Sequence, residues 1–112
     1  MAPHYPDDDD GDALRMVAEE GADMTAPMLI EFTIAAPSDS AARSIAELAS
    51  SRGYAPQISA DSEAGGFSIY CGRTMIPTYD AIVEAQFDLN RICKPYGGTC
   101  DGWITAGNKQ DH

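Results

Sequence analysis

Residues 27 to 37 read PMLIEFTIAAP, and within them Met28, Ile30, Phe32 and Ile34 alternate with Leu29, Glu31 and Thr33. A period of two puts the first set on one face of a strand and the second set on the other. A strand oily on one face only belongs to a sheet that is covered on one side, so the chain must also supply something to cover it. FSIYCGR, residues 67 to 73, repeats the alternation with Phe67, Ile69 and Cys71 facing one way. YAPQISA, residues 54 to 60, reads as a weaker strand that Pro56 pushes toward a sheet edge, and DSEAGG after it reads as a turn-rich connector.

Helical spacing fills the gaps between these strands. Ala42, Ile45, Leu48 and Ala49 share one face, Ser38 or Ser40 can cap their helix, and Gly53 can end it. Ile82, Ala85, Leu89, Ile92, Cys93 and Tyr96 form a second apolar stripe, with Pro77 suited to the first turn and Gly97 or Gly98 to the exit. Cys100 to Ala106 reads as a last strand. Upstream, Leu14, Val17 and Ala18 mark a short leading helix stopped by Gly21, and Asp10 or Asp12 can cap it.

The order after that helix, strand, helix, strand, strand, helix, strand, predicts an α+β fold. It is the ferredoxin-like βαββαβ plait, with an antiparallel four-stranded sheet and an extra N-terminal helix. The first and last strands are expected at its centre, with both long helices on one face. The other face, carrying Leu29, Tyr70 and Ile104, is then free for solvent, a partner or a homodimer contact. Residues 1–11 are expected to be a flexible acidic segment, with order beginning near Asp12. Residues 12–107 form one domain, which is what 112 residues allow, and 108–112 a tail.

Charge narrows the function. Eighteen Asp and Glu against seven Lys and Arg give a formal charge of −11, which opposes direct contact with nucleic acid and favours protein partners with basic patches. Three cysteines, Cys71, Cys93 and Cys100, lack C-x-x-C spacing and fit a reduced, cytoplasmic setting. The acidic N-terminal residues do not resemble a secretory signal, and no stretch approaches the ~18 apolar residues of a membrane span. Export by that route and membrane insertion are therefore not expected.

The segment GGTCDGWITAG, residues 97 to 107, raises the question of a catalytic site. Gly97 and Gly98 suit a helix exit, and Asp101-Gly102 within a strand-like run suits a β-bulge that re-aims Trp103. Trp103 then either packs on the core or anchors a partner. The only histidines, His4 and His112, lie near the chain ends, so a positioned base is missing, and Cys71 and Cys93 fall on core faces. Glu19 and Glu20 are adjacent on a helix and do not converge. Small phosphatases on plaits of this kind need a cation in the first strand-to-helix loop. Here that loop is AAPSDS. No catalytic residue, metal or cofactor is expected.

Several motifs resemble the RraB family of regulators of ribonuclease E activity. Cys100, Asp101, Gly102, Trp103, Ile104 and Thr105 match its terminal YDGWxT-type motif, with Cys100 in place of tyrosine. Glu20-Gly21-Ala22-Asp23 matches its EGAD turn, and Arg52-Gly53-Tyr54 its helix exit. The likeness runs over most of residues 14 to 107. It implies a non-enzymatic protein that binds ribonuclease E and inhibits or redirects RNA cleavage. The alternatives from the residues themselves are an acidic domain with another basic partner, or a small ligand-binding or hydrolase plait. Asp7, Asp8, Asp9, Asp10, Asp101 and Glu31 are the candidate acidic contacts, with Trp103 and Tyr70 as candidate aromatic anchors.

Overall fold

A computed structural model describes residues 5–61 and 66–108. Helix α1 (Asp9–Glu19) leads into strand β1 (Met28–Ala36), helix α2 (Asp39–Ser51), strands β2 (Ala55–Asp61) and β3 (Gly66–Met75), helix α3 (Tyr79–Cys93) and strand β4 (Thr99–Ile104). This is the ferredoxin-like α+β plait with a leading helix. The sheet is antiparallel throughout, in the order β2-β3-β1-β4.

That order corrects one expectation. The centre is held by β1 and β3, and the last strand lies at an edge. The physical reason is that the β1-α2-β2 crossover skips one strand position. The antiparallel return from β2 fills the gap with β3, which leaves β4 only the free side of β1.

The alternation in β1 is realised as read. Met28, Ile30, Phe32 and Ile34 are buried, and Leu29 is exposed on the opposite face. Phe32 faces Cys71 of β3 across one ladder and Trp103 of β4 across the other. Ile45 and Ala49 of α2, Ile82 and Leu89 of α3, and Leu14 of α1 close over this layer as a single apolar core. Complete burial of an isoleucine, leucine or phenylalanine side chain stabilises by about 1.5–3 kcal/mol before conformational entropy is charged against it.

The helix ends follow from short polar side chains. Ser38 Oγ accepts from the Ala41 N–H at 3.1 Å, as expected for a cap. The α3 cap is Thr78, whose Oγ1 accepts from the Ala81 N–H at 3.1 Å. Pro77 therefore sits before the cap, fully buried, and not in the first turn as expected. α3 stops at Cys93 because Pro95 cannot continue it, and Lys94–Tyr96 form a 3-10 turn instead. That turn carries Tyr96 off the apolar stripe and leaves it 40% exposed. Gly97, at φ +77°, ends the turn in the left-handed region.

Among the described residues, helical order begins ahead of Asp12. α1 begins at Asp9, with Asp8 as its cap rather than Asp10 or Asp12, and Tyr5 is buried in the core. Asn108, expected in the tail, is tied to the loop before β1. Its Nδ2 donates to the Asp23 carbonyl at 2.8 Å and its Oδ1 accepts from the Asp23 N–H at 2.9 Å. The connector expected over residues 61–66 lies mostly outside the described residues.

Candidate protein-binding surface

The final strand decides where the acidic and aromatic candidates go. Thr33 of β1 pairs with Gly102, but its neighbour Ile34 pairs with Cys100, so Asp101 is an extra residue in the ladder. This is the expected bulge. Strict alternation would send residues 100 and 103 to opposite faces. The bulge resets the parity, so Cys100 lies opposite buried Ile34 and Trp103 opposite buried Phe32. Gly102 has φ +141°, and a Cβ added there would meet nothing within 4 Å; conformation alone is what requires glycine.

Trp103 consequently packs on the rim of the core and stays half-buried. Its indole N–H donates to Asp10 Oδ1 at 3.1 Å, and the same oxygen accepts from Gln86 Nε2 at 3.0 Å. One carboxylate thus ties α1 to α3 and to β4. Asp8 is engaged twice as well, accepting from the Gly11 N–H at 2.8 Å and from the Tyr79 hydroxyl. The Tyr79 hydroxyl, then the Gly11 N–H, hold the Asp8 carboxyl below its ordinary range, and the same hydrogen bond pushes Tyr79 up.

The remaining carboxylates of this corner point outward. Asp7, Asp9, Asp12, Asp80 and Asp101 are all exposed. Arg15 is the one cation paired with them among the described residues, reaching Asp12 closely and Asp7 at 3.9 Å, and it also donates to the Tyr5 carbonyl at 3.2 Å. The edge itself is poorly suited to pairing with another strand, being six residues long, bulged and carrying an acid.

The structure therefore brings together Asp7, Asp8, Asp9, Asp10, Asp101 and Trp103, and it divides them by role. Asp8 and Asp10 are hydrogen-bonded within the fold, while Asp7, Asp9 and Asp101 face solvent. Glu31 and Tyr70 are elsewhere. Both are half-buried on the open face of the sheet, Glu31 opposite Gly72 and Ile104, Tyr70 opposite Thr33 and Gln57. Leu29 and Ile104 on the same face are 52% and 55% exposed.

Two residues that hold the corner escaped the sequence reading. Gln86 reaches Asp10, and Asn90 Oδ1 accepts from the Cys100 N–H at 2.8 Å. They lie one helical turn apart beside the apolar stripe of α3, and that i, i+4 polar spacing was the available signal. All three thiols are shifted the same way. Burial, with the neighbouring thiols adding, pushes Cys71 up to about 12. Burial, with Cys93 and the carboxylates of Asp101 and Asp10 adding, pushes Cys100 up to about 11. Cys93 is raised too, again chiefly by burial. Among the described residues no three His, Cys, Asp or Glu side chains are grouped to hold a metal ion, and no helix is long and apolar enough to cross a membrane.

The family described as RraB, regulator of ribonuclease activity B, matches residues 7–105, nearly the whole chain. No curated protein matches the sequence.

Proposed function

Because this chain belongs to the RraB family of regulators of ribonuclease activity, we propose that it binds ribonuclease E in the cytoplasm and restrains or redirects its RNA cleavage by protein–protein contact, without chemistry of its own. The observation that carries this reading is the corner around Trp103, where five outward carboxylates stand on a chain of formal charge −11. A field of that sign repels RNA and attracts arginine-rich segments, such as those with which a nuclease grips its substrate. Occupying such a segment blocks access to RNA without touching it.

The energetics set the expected form of the contact. Exposed carboxylate–arginine pairs contribute about 0.2–1 kcal/mol each, so affinity has to come from several together and from desolvation at the centre of the patch. Trp103 and its hydrogen bond to Asp10 supply a support for that patch, because α1, α3 and β4 are fastened through Asp10. The backbone that carries the acids is therefore in place before the partner arrives, which lowers the ordering cost of binding.

The test is direct binding of purified ribonuclease E, measured by calorimetry at low and at high salt, with the wild-type protein and with Asp7→Asn/Asp9→Asn/Asp101→Asn. Binding that weakens with salt and weakens again in the triple variant supports the proposal. Absence of a complex at low salt removes it, and a complex with some other basic protein from the same cell would move the reading to a different partner.

A further inference from the structure

Three of the seven Lys and Arg residues in this acidic chain line a single open cleft of about 700 Å³. Arg52 comes from the end of α2, Arg73 from β3 and Arg91 from the last turns of α3. Asp88, whose side chain is only 22% exposed, holds Arg52 at 3.0 Å and Arg91 at 2.6 Å. Both guanidinium groups are thereby fixed in position with donors to spare. Arg73 lies 5.1 Å from the centre of the Tyr54 ring and donates to its hydroxyl at 3.4 Å. Among the described residues no carboxylate lies within ion-pair distance of Arg73.

Apolar side chains share the lining with Thr74, Glu84 and Asp88. Phe87 on its wall is 74% exposed and Ile76 is 45% exposed. A neighbouring hollow of about 560 Å³ shares Phe87 and Arg91 and adds Lys94. The two hollows flank one protruding phenylalanine with cations on either side. Only Glu84 and Asp88 oppose the three arginines in the larger one, so its lining is net positive. Screening over about 8–10 Å at ordinary salt lets this local sign govern a contact despite the overall charge.

We propose that this cleft is a docking site for an acidic peptide segment of another protein, one that places an apolar side chain against Phe87 and Ile76 and its carboxylates on Arg73, Arg91 and Arg52. Charge complementarity selects the carboxylates, and Arg presents the planar fork that matches them. A free anion would leave the apolar half unused, and a nucleic acid would approach against a formal charge of −11. The site is opposite in sign to the acidic corner and shares only α3 with it, since its other arginines come from the end of α2 and from β3 while the corner is built on α1 and β4, so this chain has one surface for basic partners and a second for acidic ones.

The test uses the whole protein and a fluorescein-labelled peptide of alternating glutamate and serine with one central leucine, followed by fluorescence anisotropy. Saturable binding is expected. It should weaken about tenfold or more in Arg73→Glu, by a similar factor in Phe87→Ser, and when the leucine is replaced by serine. Asp101→Asn should leave it unchanged. Phe87 is exposed, so its replacement keeps the fold, and circular dichroism verifies both variants. The proposal is overturned by absence of saturable binding, by equal affinity in Arg73→Glu or Phe87→Ser, by equal binding of a lysine-serine peptide, or by an oligonucleotide that displaces the peptide at comparable concentration. Ribonuclease E binding that persists in Arg73→Glu while the peptide is lost would separate this site from the contact proposed above.

Discussion

Asp10 is where an acid that looks available for a partner is committed to the fold, and replacing it tests that distinction. Asp10→Ala removes one oxygen that accepts from both the Trp103 indole and the Gln86 amide, at 3.1 and 3.0 Å. Hydrogen bonds to a charged group contribute about 1.5–3 kcal/mol each, and the half-buried setting puts these at the low end, near 3 kcal/mol together. Losing a carboxylate from the first turn of α1 adds about 0.3–1 kcal/mol through the helix dipole. Alanine returns about 0.6 kcal/mol in helix propensity. Water reaching the freed N–H groups lowers the sum further, leaving a net cost of about 2 kcal/mol. For a chain of this length that is a fall in Tm of roughly 6–10 °C.

The control is Asp9→Ala, one residue away and exposed, where the dipole loss and the propensity gain nearly cancel. Thermal unfolding by circular dichroism gives the stabilities. Fluorescence gives the local picture, because Trp103 is the only tryptophan. A large fall for Asp10→Ala, with altered native emission, and almost none for Asp9→Ala is the expected outcome. Equal, small effects from both would refute the claim that Asp10 fastens α1 to α3 and β4.

Other perturbations test separate parts of the structure. In Gly98→Ala the new Cβ would lie 2.9 Å from Ile45 Cδ1 and 3.0 Å from Cys93 Cβ, so urea unfolding should show a loss of about 1–3 kcal/mol from overpacking. Tyr79→Phe should lower Tm near neutral pH and progressively less in acid. The depressed folded pKa of Asp8 contributes stability above the ordinary aspartate value of 3.8, and that contribution disappears as pH falls through the folded value. Melts of both proteins from pH 7 down to the acid transition check this, and a difference independent of pH contradicts it. The native protein should react with a thiol reagent at pH 8 far more slowly than the denatured protein, in which all three thiols should react, since burial raises all three in the fold.

Much of the scaffold was legible because it depends on local pattern. The alternation in β1 and β3, the Ser38 cap and the bulge at Asp101-Gly102 each follow from residues within a few positions of one another. The strand order was not, since it depends on how two crossovers span the sheet. The choice of Asp8 as cap was hidden for a different reason. A run of four aspartates offers equivalent candidates, and the roles are allotted by Tyr79, Gln86 and Trp103, which are 71, 76 and 93 residues away from the acids they bind. Trp103 itself follows the packing reading, since its ring packs on the core rim and its N–H is donated to Asp10 within the fold. The arginine cleft draws on three separate elements and leaves no motif at all.

The most direct measurement is the rate at which ribonuclease E cleaves a labelled RNA in the presence of increasing amounts of this protein, compared with the Asp7→Asn/Asp9→Asn/Asp101→Asn variant. The account predicts saturable slowing or a shifted cleavage pattern with the wild-type protein, relieved by salt and largely lost in the variant. Cleavage that is unaffected by a stoichiometric excess of folded wild-type protein, or equally affected by the variant, would contradict it.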